Sequence, residues 1–292
     1  MNKDKIMLIG AAGFLGQNLL KDIDSKRFVV VPYTRCGTKL GDTETKALDI
    51  TDTKSIGNFI KDESPDVIIN TAGLISVKGC EQKKDLAISL NALAVAEMAD
   101  AAISARVPLF SQISTDAVFS GNFGHQFTEN DLPIPKNMYG ISKRMGEIFL
   151  GTSSMPHQII RTSLVIGDSP NPNERWTFQR SLLSKLMLGE KFEAMVDAIN
   201  SPTYVSDVVG GIIWLIDSFA SNSSNVGIFH VAGPEPISKY NLAKRIAREH
   251  GQNESLIVAT TRDQVDSHYP PDTSLSVQKM QQLGFSAKKI YD

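Results

Sequence analysis

Short apolar runs alternate with longer stretches of helical period through the first half of the chain. Lys5–Gly10, Phe28–Tyr33, Asp66–Asn70, Val107–Ile113 and His157–Arg161 read as strands, rich in Val, Ile and Leu. Between them, Phe14–Asp24, Thr53–Asp62, Leu86–Ala105 and Asn137–Leu150 read as helices, the third of them rich in alanine. Strands that alternate with helices predict right-handed βαβ units, hence an α/β fold with a doubly wound parallel sheet covered on both faces. The second half is less regular. Trp176–Leu188, Ser206–Ser218 and Ile237–His250 read as helices and Gly227–Val231 as a short strand, with polar loops at Gly167–Asn173 and Ala220–Asn225. The pattern predicts a first domain over residues 1–165 and a smaller one over 166–292, with segments near 200–232 returning to the first. No internal repeat is present, which excludes a solenoid.

Composition narrows the function classes. The chain has 292 residues, 41% of them hydrophobic and 21% charged, which suits a packed globular core. Lys plus Arg is 30 against 32 for Asp plus Glu, a formal net charge of −2, so nothing points to nucleic acid or an anionic membrane. Five histidines and two cysteines are too few and too scattered for a metal site. Cys36 and Cys80 form no CxxC pair, and a reducing, cytoplasmic compartment is the expectation. Lys3 and Lys5 ahead of the apolar run Ile6–Gly16 imitate a short signal peptide. Three glycines break that run, and it falls short of the ~20 residues that a membrane span needs.

Those glycines have a better explanation. Gly10, Gly13 and Gly16 follow a strand and open a helix, the place where a tight turn, close backbone approach to a pyrophosphate and close helix–strand packing each demand a missing side chain. The helix N-terminus then offers N–H groups and a positive dipole end to phosphate. The spacing is GxxGxxG, and its position in a βαβ pattern makes the sheet Rossmann-type. After the second strand come Tyr33, Thr34 and Arg35, with no acid to grip an adenosine ribose; Arg35 would accept a 2′-phosphate, which favours NADP(H) over NAD(H). Asp49 is either an acceptor for the adenine amino group or a turn residue.

A second constellation lies downstream. Tyr139 and Lys143 stand at i and i+4, one face of a helix, where a nearby cation favours the phenolate and prepares the phenol for proton transfer. Ser114-Thr115-Asp116 follows a buried strand, and the C-terminal strand ends of a parallel sheet face the ligand crevice. A hydroxyl there would bond the same carbonyl oxygen.

With these motifs the chain resembles the extended short-chain dehydrogenase/reductases, and within them the dTDP-4-dehydrorhamnose reductase group. The resemblance spans nearly the whole chain, through Pro65–Gly73 (PDVIINTAG), Asn91-Ala92, Ile113–Phe119 (ISTDAVF), Tyr139–Glu147 (YGISKRMGE), Arg161–Gly167 (RTSLVIG), Ser201–Asp207 (SPTYVSD), His230–Ser238 (HVAGPEPIS) and Asp272–Leu283. It implies that Thr115, Tyr139 and Lys143 form the catalytic triad, with Lys143 also on the nicotinamide ribose. It places Gly10, Gly13, Phe14, Leu15 and Gly16 on the pyrophosphate, Thr34 and Arg35 at the adenosine end, Asp49 and Ile50 at the adenine, and Ala72 and Gly73 along the cofactor. The implied first domain binds the dinucleotide, and the second a nucleotide-linked sugar. The implied reaction is NADP-dependent reduction of a nucleotide-linked 4-keto-6-deoxy-sugar, and homodimers through the long helices are also implied.

Four positions depart from the group's pattern on the substrate side. Ala117 replaces an aromatic, Leu164 a tryptophan, Lys78-Gly79 an Asp-Lys pair, and Tyr269-Pro270 stand where an arginine often occurs. These changes imply a different sugar, a different ketone or a lost catalytic role. The alternatives are a non-catalytic dinucleotide-binding regulatory subunit, like that of methionine adenosyltransferase, and a nucleotide-sugar epimerase. A dehydratase would want a second acid after Asp116, where Ala117 stands.

Overall fold

The structure is a computed structural model that describes residues 3–170, 177–265 and 268–290, without the side chain of Lys54. In chain order the elements are β1 (Asp4–Ile9), α1 (Phe14–Asp22), β2 (Phe28–Thr34), β3 (Lys46–Ala47), α2 (Thr53–Glu63), β4 (Val67–Asn70), α3 (Val77–Gln82), α4 (Lys84–Ile88), α5 (Ala94–Ser104), β5 (Leu109–Thr115), α6 (Met138–Thr152) and β6 (His157–Thr162). There follow β7 (Val165–Ile166), α7 (Phe178–Met187), β8 (Phe192–Met195), β9 (Ile199–Asn200), β10 (Thr203–Tyr204), α8 (Val205–Ser221), β11 (Gly227–His230), β12 (Ile237–Ser238), α9 (Lys239–Glu249), β13 (Ile257–Thr260), α10 (Arg262–Val265) and α11 (Gln278–Gln282). The fold is α/β around a parallel, Rossmann-type sheet of seven strands in the order β11-β6-β5-β4-β1-β2-β3. The order reverses between β1 and β4, so the Gly10 turn stands at the switch point, where this architecture binds ligands.

The chain divides into two compact units. The first holds Met1–Ser114, Met138–Ile160 and Ile212–Phe229. Its core packs Met7, Ile9, Ile68 and Phe110 of the strands against Ile56 and Ile60 of α2 and Val95, Met98 and Ala102 of α5. Helix α2 starts where the Asp52 carboxylate accepts from Ser55 N and Oγ and stops at Ser64, which is left-handed at φ 43°. Among the described residues, the stretch Lys84–Ser104 is the one helix long and apolar enough to cross a membrane by length and composition. Its apolar face is committed to the core of this unit through Ala94, Val95, Met98, Ala99 and Ala102. A π turn at Ser89–Leu93 interrupts it.

The second unit holds Thr115–Asn137, Arg161–Gly211 and His230–Asp292. Its main core joins Leu182 and Leu186 of α7 to Leu242, Ala243, Ile246 and Ala247 of α9, with Ala194 of β8 and Ile257 of β13, which pair in parallel. Ser238 caps α9 by accepting from Asn241 N at 3.2 Å, and Thr177 caps α7 in the same way. The first residue of the helix expected at Trp176–Leu188, and part of the loop expected at Gly167–Asn173, lie outside the described residues.

This division differs from the break expected at 165/166. Residues 115–137 group with the second unit because their partners are far along the chain. Asn122 N donates to Asp272 O at 2.9 Å, Phe127 N to Ser274 O at 2.8 Å and Asn137 Nδ2 to His268 O at 3.0 Å. Bonds across such separations leave no periodic trace in a sequence.

Candidate active site

The first unit carries the glycine turn. Gly10 has φ +85°, and a Cβ there would lie 2.6 Å from Ala72 N and from Thr71 Oγ1. Both the backbone conformation and the space therefore require glycine. A Cβ on Gly16 would run into the carbonyl of Gly10, so α1 lies close against the turn. Gly10 N and Ala11 N both donate to Tyr33 O, at 3.1 and 3.0 Å, which ties the turn to β2. The first helical bond runs from Gln17 N to Gly13 O at 2.9 Å, so the N–H groups of Phe14, Leu15 and Gly16 lie ahead of the helical ladder. A cradle that no side chain can fill, beside a helix N-terminus, fits a dinucleotide pyrophosphate.

The residues expected at the adenosine end are less uniform. Arg35 is 83% exposed, and its Nε lies 3.5 Å from Asp49 Oδ2. Asp49 accepts from Thr51 N at 3.0 Å and Thr51 Oγ1 at 2.7 Å, and these bonds hold its carboxyl below the usual range. It thus acts as a turn residue while keeping an oxygen beside Arg35. The Thr34 hydroxyl is buried and engaged in its own loop, with Thr45 Oγ1 at 2.9 Å and Thr38 N at 3.0 Å. Ile50 is buried in the core. Ala72 N donates to Asn70 Oδ1 at 3.0 Å.

Helix α6 carries Tyr139 and Lys143 one turn apart. Tyr139 packs against Cys80, Ala87 and Met138. Lys143 is buried, and its Nζ donates to Ile113 O near the C-terminal end of β5 at 2.5 Å. Burial pulls this amine down to about 8, and the Glu147 carboxylate one turn further along opposes that fall. Glu147 is itself buried, accepting from Ser114 Oγ at 2.6 Å and Arg144 Nη1 at 3.0 Å. Ser114 therefore bonds the carboxylate one helical turn beyond the lysine.

Glu147 and Asn91 stood in the sequence only as parts of matching segments, with no role assigned. The i+4 spacing of Glu147 from Lys143 was visible there. Asn91 sits in the π turn, where such bulges often mark functional sites. Its Oδ1 accepts from Leu74 N at 2.8 Å, and its Nδ2 lies 2.9 Å from both Leu74 O and Ser142 Oγ. It thus ties the loop after Gly73 to α6. A lone asparagine in an alanine-rich helix was the available signal.

In the second unit, Thr115 closes β5 and caps a short 3-10 turn. Its Oγ1 lies 3.1 Å from Asp116 Oδ1 and accepts from Ala117 N at 3.1 Å. Asp116 Oδ2 accepts from Ser163 Oγ at 2.7 Å, Asn200 Nδ2 at 2.8 Å and Thr273 Oγ1 at 2.9 Å. A carboxylate so surrounded by neutral donors anchors three segments of chain. Such saturation opposes dehydratase chemistry, which needs a free acid.

The RmlD substrate binding domain model matches residues 4–291. The chain belongs to that family. RmlD proteins fall among the extended short-chain dehydrogenase/reductases, and the relatives this chain matches include NAD(P)-dependent oxidoreductases. The spore coat polysaccharide biosynthesis protein SpsK of Bacillus subtilis (strain 168) is 29% identical over 261 residues, 89% of this chain and 84% of its own. The dTDP-4-dehydrorhamnose reductase of Aggregatibacter actinomycetemcomitans is 29% identical over 287 residues, 95% of this chain and 92% of that one. The dTDP-4-dehydrorhamnose reductase of Bacillus anthracis str. Ames, solved in complex with NADP, matches with TM-score 0.86 at 24% identity, over 99% of this chain and 96% of that one. That match establishes the RmlD-type fold.

Proposed function

We propose that this RmlD-family chain reduces the 4-keto group of a nucleotide-linked 6-deoxy-sugar with NADPH, in the manner of dTDP-4-dehydrorhamnose reductase. The observation that carries the reading is Tyr139 one helical turn from a buried, positively charged Lys143 that is anchored on the end of β5. The same unit holds the glycine cradle. Gly10, Gly13, Phe14, Leu15 and Gly16 would hold the pyrophosphate, and Ala72 and Gly73 would line the dinucleotide. Arg35 and Asp49, whose side chains are both exposed, would face its adenosine half, with only the backbone of Thr34 and Ile50 beside it. The bound cofactor supplies hydride to the ketone carbon.

The chain's own residues do the rest. Tyr139 donates a proton to the ketone oxygen as charge develops there. Lys143 keeps positive charge beside the phenol, so that loss of the proton costs less. The Thr115 hydroxyl orients and polarises the carbonyl. A reductase needs all three of these groups, as an epimerase would, whereas a regulatory subunit needs none of them. The test is loss of the reduced-nicotinamide absorbance when the protein meets NADPH and a dTDP-linked 4-keto-6-deoxy-sugar. Turnover is the expected result; tight NADPH binding without turnover on any nucleotide-linked keto-sugar would favour the regulatory reading.

Arg35 supports the preference for NADPH. Its ion pair with Asp49 is exposed, and such pairs contribute little, so the guanidinium is available to a 2′-phosphate. Arg35→Ala should weaken NADPH binding about tenfold, roughly 1.4 kcal/mol, and leave NADH binding unchanged. Fluorescence titration with both dinucleotides checks this, and an equal effect on the two would remove Arg35 from the phosphate site.

A further inference from the structure

Glu81 is a carboxylate that the proton transfer proposed above does not use, yet it bonds the helix that carries the proton donor. Its Oε1 accepts from the N–H of Met138, the first residue of α6, at 2.7 Å. The first four N–H groups of a helix have no partner within it, and a carboxylate beside them complements the helix dipole. The first turn of α6 contains no acid of its own. Glu81 reaches it from α3, 57 positions earlier in the chain. Its side chain is only 21% exposed, and its other oxygen lies 3.9 Å from Lys84 Nζ, an exposed ion pair that contributes little.

The carboxylate is itself held in place. Ser76 caps α3 by accepting from Gly79 N at 3.0 Å, and Cys80 N donates to Ser76 O at 2.8 Å. Cys80 Sγ donates to Leu74 O at 3.3 Å, and the Asn91 side chain bonds both Leu74 N and Leu74 O. Cys80 packs in turn with Met138 and Tyr139. Its thiol is pushed up to about 11, by burial first and by the Glu81 charge second, while the Lys143 charge opposes the rise. An anion ahead of α6 and a cation one turn inside it thus both act on the side chains that pack around Tyr139.

Tyr139 is the second residue of α6, in the turn with the fewest helical bonds of its own. Helix ends fray, and fraying of this turn would carry the phenol away from its place. A displacement of ~1 Å from the productive geometry can cost about a hundredfold in rate. The bond that fixes the backbone one residue ahead of the phenol therefore bears on the chemistry as well as on the fold.

We propose that Glu81 is a positioning residue for the proton transfer: its bond to Met138 N fixes the first turn of α6 and so holds the Tyr139 phenol at the ketone oxygen. This assignment rests on the reductase reading above.

Two conservative variants separate the bond from the charge. Glu81→Gln keeps an oxygen that accepts from Met138 N and loses the charge. Glu81→Asp keeps the charge and draws the carboxylate back by about 1.5 Å, one carbon–carbon bond. The test is steady-state kinetics with NADPH and a dTDP-linked 4-keto-6-deoxy-sugar, in H2O and in D2O, with urea unfolding of the same preparations. Glu81→Asp should lower kcat and kcat/KM together, roughly ten- to a hundredfold, and leave KM unchanged. Its solvent isotope effect on kcat should rise above that of the wild type, because proton transfer from a displaced phenol limits the rate. Glu81→Gln should keep the wild-type kcat and isotope effect. A merely structural cap would lower the unfolding midpoint of Glu81→Asp and leave its kcat and isotope effect at wild-type values, which overturns the assignment alone. A fall of about tenfold in kcat for Glu81→Gln also overturns it, whether or not Glu81→Asp folds, because only the charge is lost there. No turnover by the wild type overturns this assignment and the reductase reading together.

Discussion

Tyr139→Phe should lower kcat for keto-sugar reduction about a hundred- to ten-thousandfold, the usual contribution of a positioned proton donor. NADPH affinity should stay within about threefold, because the ring packing against Cys80, Ala87 and Met138 is retained and only the hydroxyl is lost. Steady-state turnover and a dinucleotide titration on the same preparation separate the two effects. A variant that keeps more than about a tenth of the wild-type kcat would mean that the proton comes from another group. The same machinery sets the pH dependence. The Lys143 amine is held at about 8, so its positive charge is present below that pH and lost above it. For the wild type, kcat/KM should therefore fall as pH rises through about 8. The linkage to stability has the opposite sign: the folded pKa lies below the ordinary 10.5, so the unfolded chain binds more protons between the two values. The cost of burying the cation is present below about 8 and is relieved as pH rises toward the unfolded value.

The second large effect concerns folding. Glu147→Ala should destabilise the protein by about 3–5 kcal/mol, the cost of breaking a buried charge network by removing one partner. The Glu147 side chain has no exposed surface, and its loss strips Ser114 Oγ and Arg144 Nη1 of their acceptor. It also leaves buried Lys143 without the carboxylate that favours its charged form. Urea unfolding of both proteins measures the difference, and a loss under about 1 kcal/mol would show that water or a neighbour replaces the carboxylate. Glu147→Gln keeps the volume and supplies a milder probe. In that variant the high-pH fall in kcat/KM should move to lower pH, since the carboxylate charge that raises the Lys143 pKa is gone. A merely structural glutamate would leave that profile in place.

The four departures from the related reductases acquire different meanings in the folded chain. Lys78 is exposed on α3, and nothing in the structure explains its exchange. Leu164 packs against the core built on α7 and α9, so an aliphatic side chain is accommodated there by neighbouring leucines and isoleucines. Ala117 is partly buried in the short turn after Thr115, and its N–H bonds the Thr115 hydroxyl. Tyr269 is the change with a visible counterpart, because Lys239 rests on its ring.

Sequence alone determined the features that depend on neighbours a few residues apart. The alternation of strand and helix, the left-handed turn at Gly10 and the single-turn spacing of Tyr139 and Lys143 are all of this kind. Local sterics and helix periodicity act within one turn or one strand, so they leave a pattern that can be read directly. Element ends shifted by a residue or two, as at Val107–Ile113, which folds as Leu109–Thr115. The short strands β3, β7, β9, β10 and β12 gave no signal, because two residues carry no period. Tertiary structure decided which distant groups meet. It brought Asn91 to the Gly73 loop and to Ser142, and Glu147 to Ser114. It gathered Ser163, Asn200 and Thr273 on Asp116, and it set Lys239 over Tyr269. Such contacts pair polar groups across tens of residues to satisfy burial, and burial is a property of the folded chain that no local stretch of residues encodes.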